Sequence, residues 1–222
     1  MGRLLIASSM KSVSLIDVLG HTASTVWFCG CNLKCPFCHN WRIADADRNV
    51  CEWKNIDDII EKLGSAIRLG IVEYLHVTGG EPLLQHKGLI ELYQRVEDKI
   101  KTSLDSNLTL PERLSELLES VRLDHLATDI KAPPHVMYGL PREKAEKYWE
   151  NFLASLTIIV EKFNGVLEVR IPFHTRIDTP EHRYYVEKAL SIIRPYRNKV
   201  IRKVKLLGPP ITTPRSPEFF RK

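Results

Sequence analysis

The chain has 222 residues, 44% of them hydrophobic and 27% charged, a balance that excludes disordered, collagen-like and coiled-coil chains. No stretch approaches the roughly 20 apolar residues of a membrane helix, and the start Met1-Gly-Arg-Leu-Leu-Ile lacks the features of a secretory leader, so a cytoplasmic protein with no membrane partner is expected. The net charge of +5 is uneven: nine Lys or Arg against one acidic residue from Arg194 to Lys222 give +8 there and leave −3 for residues 1–193.

Ser24 to Cys29, rich in β-branched and aromatic residues, predicts the first strand, with a cysteine-rich loop after it. Asn55 is placed to cap a helix whose apolar side runs through Ile56, Ile59, Ile60, Leu63 and Ile67 to a stop at Gly70. Val72 to Val77 predicts a second strand running into Thr78-Gly79-Gly80-Glu81-Pro82, followed by a helix from about Leu89 to Glu97. Ile100 to Leu104 is the third strand, before Asp105-Ser106-Asn107, and Pro111 opens a helix buried through Leu114, Leu117, Leu118 and Val121. Leu123 to Ile130 is the fourth strand and 133–141, with three prolines and a glycine, is a loop. A long helix over about 142–163, a fifth strand Val166 to Phe173, a helix capped by Thr179 with Pro180 at its first position, and a sixth strand Val200 to Leu207 before Gly208-Pro209-Pro210 complete the pattern.

Six strands joined by helical crossovers require a parallel sheet. The expected fold is α/β, a partial (βα)6 TIM-type barrel of parallel strands, with an open doubly wound sheet as the competing arrangement. One domain spanning 1–222 is expected, with a basic tail from about 208 to 222. In such barrels chemistry gathers at the C-terminal ends of the strands, and that is where the cysteines, Gly79-Gly80-Glu81, Asp105, Asp129 with Lys131, and Arg170 fall.

Four of the five cysteines lie within ten residues, and an odd count without a leader argues for a metal or redox site over a disulfide scaffold. Cys31, Cys35 and Cys38 have the spacing C-x3-C-x2-C. Three thiolates on one loop can cap three irons of a 4Fe–4S cluster and leave the fourth open to a ligand. Spacing alone leaves two rivals: zinc, with His39 completing a Cys3His set, and haem, since Cys35-Pro-Phe-Cys38-His39 matches C-x-x-C-H.

C-x3-C-x-aromatic-C followed downstream by Gly-Gly-Glu-Pro resembles the signature of the radical S-adenosylmethionine (SAM) enzymes. Ser14-Leu-Ile-Asp17, Gly30 through Asn40, Gly79-Gly-Glu-Pro-Leu83 and Asp129-Ile-Lys-Ala132 extend the resemblance over nearly the whole chain, to the glycyl-radical-enzyme activating proteins and most to the anaerobic ribonucleoside-triphosphate reductase branch. The resemblance implies a 4Fe–4S cluster on Cys31, Cys35 and Cys38, with SAM on its open iron. It implies reductive cleavage of SAM to a 5′-deoxyadenosyl radical, and abstraction of hydrogen from a glycine of a partner glycyl radical enzyme. A low-potential donor such as a flavodoxin or ferredoxin is implied as the electron source. No catalytic acid or base is required. Gly79-Gly-Glu-Pro-Leu-Leu-Gln85 also resembles carboxy-deazaguanine synthases, so modification of a small molecule or RNA is the alternative; a structural zinc or iron–sulfur module is the third reading.

By the same resemblance Phe37 lies near the adenine, with core packing as the alternative. Gly79 and Gly80 admit the methionine end, and Glu81, held extended by Pro82, presents backbone carbonyls to the SAM ammonium. Lys131 and Arg170 meet the SAM carboxylate, or else form a barrel-mouth ion pair with Asp129 or Glu168. Asp105 and Asp129 build a monovalent-cation site in the pyruvate formate-lyase branch; here Leu108 stands where glycine usually follows the Asn, and the last strand lacks a histidine, so structural capping is an equal expectation. Cys29 and Cys51 are expected as buried small hydrophobes, Trp41 and Trp53 as packing over the cluster loop, and His174 and Arg176 as loop residues that could face substrate. The remaining histidines show no metal spacing. The basic tail is expected to be a solvated, partly frayed end; Phe219 and Phe220 leave room for docking, and nucleic acid stays open as its partner.

Overall fold

The computed structural model describes residues 2–174, 177–207 and 213–220. Three antiparallel strands precede or interrupt the expected pattern: β1 (Arg3–Ala7), β2 (Lys11–Val18) and β4 (Cys51–Asn55), with β3 (His21–Phe28) leading the parallel run. β5 (Tyr74–Gly79), β6 (Lys101–Asp105), β7 (His125–Asp129), β8 (Val166–Phe173) and β9 (Val200–Leu206) follow it in spatial order, every neighbour parallel. These six strands and their helical crossovers make the expected partial (βα)6 barrel.

The helices are α1 (Trp41–Ala44), α2 (Ile56–Arg68), α3 (His86–Gln94), α4 (Pro111–Ser120), α5 (Pro134–Met137), α6 (Arg142–Lys162) and α7 (Pro180–Ile193). Their buried stripes, such as Ile56, Ile59 and Leu63 on α2 or Trp149, Phe152, Leu156 and Ile159 on α6, share one core with inward strand residues including Val26, Val77, Leu104, Leu126 and Val169. Burying such a side chain contributes about 1.5–3 kcal/mol, so the helices hold the strand ends, and what hangs from them, in place.

Four expectations need correction. The loop expected over 133–141 contains one turn of helix, α5, because the prolines sit at its cap and first position, where no N–H is needed. Asn55 precedes α2 but its side chain makes no cap; it reaches Asp58 instead. Trp53 does not pack over the cysteine loop: it lies on β4 with its side chain outward, 55% exposed. Cys29 and Cys51, buried as expected, are joined in a disulfide rather than separate. β1 brings them together, pairing Ala7 with Cys51 and Ile6 with Phe28, while the Cys29 N–H donates to the Leu5 carbonyl.

Candidate active site

The cysteine loop leaves β3 at Phe28 and is held from several sides. The Gly30 N–H donates to the Ile43 carbonyl, the Lys34 N–H to the Tyr138 carbonyl, and the Cys38 N–H to the Cys35 carbonyl. Gly139 allows the approach of the α5 turn: at φ +64°, a Cβ there would stand 2.0 Å from the Lys34 carbonyl oxygen. Cys31, Cys35 and Cys38 are all free thiols. Burial pushes Cys31 up to about 11, with Glu81 adding to the shift, and pushes Cys35 up to about 12. The thiols therefore carry their protons until a metal displaces them.

A cavity of about 190 Å³ opens beside this loop, and the strand ends supply its other walls. All the residues singled out above for cluster or cofactor line it except Glu81: Cys31, Cys35, Phe37 and Cys38 from the loop, Gly79 at the end of β5 and Gly80 after it, Asp105 from β6, Asp129 at the end of β7 and Lys131 after it, and Arg170 from β8. Asp129 and Arg170 are register partners across β7 and β8. The Arg170 guanidinium donates to Asp105 at 2.5 Å and to Asp129 at 2.7 Å, and the Lys131 ammonium lies 3.0 Å from Asp129. Burial alone would raise the Asp129 pKa, but Arg170 and Lys131 overcome it and hold the carboxyl well below its ordinary range. Both cations are thus engaged with aspartates while facing the cavity.

The Glu81 side chain turns away into the fold. Fully buried, it accepts from the N–H groups of Leu83 (3.0 Å) and Asn107 (2.7 Å) and from the Ser106 hydroxyl (2.8 Å). Burial pushes its carboxyl up to about 7 against those three donors. Its work is to tie the turn after β5 to the loop after β6, which in turn sends the Asn107 amide to Asn32 at 2.9 Å and to Cys31 Sγ at 3.8 Å. Leu108, next in line, adopts φ +57°, so the side chain departs from the pattern but the backbone keeps a conformation that glycine adopts at lower cost.

Gly80 lies so close to the cysteine loop that a Cβ would stand 2.1 Å from the Gly30 carbonyl oxygen, and Gly79, at φ +118°, would place one 2.4 Å from the Phe28 carbonyl oxygen. Donors already point at sulfur: the Leu33 N–H lies 3.4 Å from Cys31 Sγ. Such N–H···S contacts stabilise cluster sulfur. Among the described residues no three His, Cys, Asp or Glu side chains gather closely enough to hold one metal ion. His39 is exposed on the rim. Three free thiols on one cavity wall with N–H donors beside them are the donor set of a multi-iron cluster, in which each thiolate takes its own iron.

Sequence reasoning missed two features. Lys205 and Leu207, at and after the end of β9, close the cavity's far side. Beneath it, His76 and His125, register partners of Ser103 on either side, are both bonded to its hydroxyl at 2.8 Å. Burial pushes His76 down to about 4, so the pair is neutral at that end. The inward phase of β5 and β7 was the available signal. Near this layer a second cavity, sharing Asp105 and Arg170 with the first, opens sideways between β2 and β9 past Asp17, Glu168 and Lys203. Arg176 lies outside the described residues, as does Gly208-Pro209-Pro210; His174 packs its ring against Phe219 and Phe220. Among the described residues no helix is long and apolar enough to cross a membrane.

The family model described as the Radical SAM superfamily matches residues 25–182. A Methanocaldococcus jannaschii protein named as a putative glycyl-radical enzyme activating enzyme is 26% identical over 175 residues, 78% of this chain and 70% of that one. The pyruvate formate-lyase-activating enzyme of Clostridium pasteurianum is 28% identical over 218 residues, 93% of this chain and 82% of that one. Among solved structures, HydG, a maturase of the FeFe-hydrogenase, superposes with a TM-score of 0.62 at 12% identity; the alignment covers 86% of this chain but 43% of HydG, and speaks for the fold alone.

Proposed function

The chain belongs to the radical SAM superfamily, an enzyme family that works with a 4Fe–4S cluster and SAM, and from that premise we propose that it is an activase installing a glycyl radical on a partner enzyme, of the anaerobic ribonucleotide reductase type. The observation that carries the reading is the cavity that joins three free thiols to a glycine wall and a pair of partly buried cations. When bound, cluster and SAM supply a one-electron cleavage whose radical product takes a hydrogen atom from a glycine Cα. Electrons would come from a low-potential flavodoxin or ferredoxin.

The chain's own residues bind and orient. Cys31, Cys35 and Cys38 would hold the cluster after losing their protons. Phe37 would give the adenine an apolar face. Gly79, Gly80 and the Glu81 backbone would admit the methionyl amino group, with the buried Glu81 carboxylate fixing that turn. Lys131 and Arg170 would turn from Asp129 and Asp105 toward the SAM carboxylate, the aspartates keeping both bases charged. Fixing both groups before the electron arrives is the protein's contribution to rate. The glycyl-radical activating enzymes among its relatives support the general activity.

One observation favours a second reading, modification of a small polar molecule: the lateral cavity has about 430 Å³ and walls of both charges, Asp17 and Glu168 against Lys203 and Lys205. The test is anaerobic. Reconstituted protein with SAM and a strong reductant should form 5′-deoxyadenosine, Cys35→Ala none, and a purified ribonucleotide reductase should then acquire a glycyl radical signal by electron paramagnetic resonance. SAM cleavage that leaves the reductase without a radical, but is stimulated by a small carboxylated heterocycle, would replace the activase with the second reading.

A further inference from the structure

Of the basic tail, expected to be solvated, the described residues 213–220 dock on the cysteine loop instead. The Arg215 N–H donates to the Cys38 carbonyl at 3.1 Å and the Ser216 N–H to the Pro36 carbonyl at 2.9 Å. The Trp41 indole N–H reaches the Thr213 carbonyl at 3.1 Å. Phe219 is buried against Phe37, ring centroids 5.8 Å apart. The Arg215 guanidinium forks onto Asp45 at 2.6 and 3.0 Å, and the same carboxylate takes the Lys34 ammonium at 2.5 Å. Asp45 thus joins the residue before Cys35 to a residue bonded to Cys38. One donor in this arrangement is left over: Arg215 Nε is buried and has no hydrogen-bond partner among the described residues. A buried, unpaired N–H is costly, and this one belongs to a cation whose backbone N–H is bonded to the Cys38 carbonyl.

We propose that the segment Thr213–Phe220 is a built part of the iron–sulfur site, with Arg215 as a positioning residue. It clamps the loop between Cys35 and Cys38 in its cluster-binding shape, and offers positive charge and a spare N–H to the cluster's sulfur side. The proposal rests on the family's cluster and not on the activase reading, so it stands or falls separately from the identity of the substrate. An arginine suits this place because its planar fork saturates Asp45 while Nε faces elsewhere; a lysine cannot do both.

The experiment uses the full chain, reconstituted anaerobically, comparing wild type with Arg215→Gln, Arg215→Lys and Asp45→Asn, and with Arg183→Ala as a control at an exposed ion pair. Two readouts need no turnover: the rate at which iron is lost to a ferrous chelator, and the cluster's midpoint potential. Arg215→Gln should lose iron about 10- to 100-fold faster, the usual cost of removing an outer-shell partner, and its potential should move negative because charge and hydrogen bonding to sulfur stabilise the reduced state. Arg215→Lys should recover part of both and the control should match wild type. Iron loss and potential equal to wild type in a folded Arg215→Gln chain, judged by its circular dichroism melt, would overturn the proposal. Faster loss at an unchanged potential would overturn the electrostatic half and leave a clamp. If Arg215→Gln does not fold, Asp45→Asn decides on the same two readouts.

Discussion

The guanidinium of Arg170 sits between Asp105 and Asp129, and its removal would leave two partly buried carboxylates with one ammonium, Lys131, on Asp129. Breaking a fully buried pair on one side costs about 3–5 kcal/mol, and these side chains keep between 15% and 24% of their surface exposed, so Arg170→Gln should lower the stability of the cluster-free chain by less, about 1–3 kcal/mol, measured by denaturant unfolding. The sign of its pH dependence follows from Asp129. A carboxyl whose folded pKa is depressed contributes stability that is present above its ordinary 3.8 and lost as pH falls through the lower folded value. The gap between wild type and Arg170→Gln should therefore narrow below about pH 4. In the reconstituted enzyme the same change removes a charge-assisted contact of about 1.5–3 kcal/mol, so SAM affinity by calorimetric titration should fall at least tenfold; unchanged affinity would leave Arg170 as an ion pair and nothing more. The placing of Arg170, Lys131 and the cysteines was legible because each occupies a strand end or a motif position. The inward turn of Glu81 was not, because its partners Ser106 and Asn107 come from another strand's loop.

At the scale of elements, the six parallel strands and the helices that cover them were readable from alternation of period and from Pro and Gly punctuation; Thr179 caps α7 as its sequence predicts, accepting from the His182 N–H at 3.1 Å. β1, β2 and β4 were not readable: β1 and β4 have five residues each, too few to show an alternation, and β2 shows solvent most of its residues, Leu15 and Ile16 among them, so no buried face marks it. Missing β1 also hid the neighbourhood of Cys29 and Cys51. The contact between the ends of β3 and β5 tests how tightly two elements must meet for the site to exist. Gly80→Ala puts a methyl group on the Gly30 carbonyl, and backbone on both sides leaves no flexible side chain to yield. The strand ends should part, with a stability loss of about 1–3 kcal/mol typical of overpacking and a marked fall in iron bound per chain after reconstitution. Full iron content with wild-type melting would show that the approach is not needed.

The barrel as a whole is open on one side, where the parallel run begins beside β2 and ends at β9. Its two lips carry apolar residues that no described residue covers: Ile16 is 81% exposed, Val204 65% and Leu206 76%. Ile16 and Val204 both line the lateral cavity that adjoins the cluster side through Asp105 and Arg170. A protein substrate must bring a glycine inward through a gap of this kind, and it would gain the apolar contact that isolated lips cannot make. Each buried apolar side chain contributes about 1.5–3 kcal/mol, so Ile16→Glu and Val204→Glu should each reduce transfer of the radical to the partner by about tenfold or more. Both positions are on the surface and away from the thiols, so 5′-deoxyadenosine formed without a partner should stay at the wild-type rate. Quantifying glycyl radical by electron paramagnetic resonance beside 5′-deoxyadenosine separates the two quantities. Loss of radical with SAM cleavage intact places the partner on the lips. If both variants pass the radical on at wild-type rates, the partner reaches the cluster side by another face, and the lateral cavity reverts to the small-molecule reading.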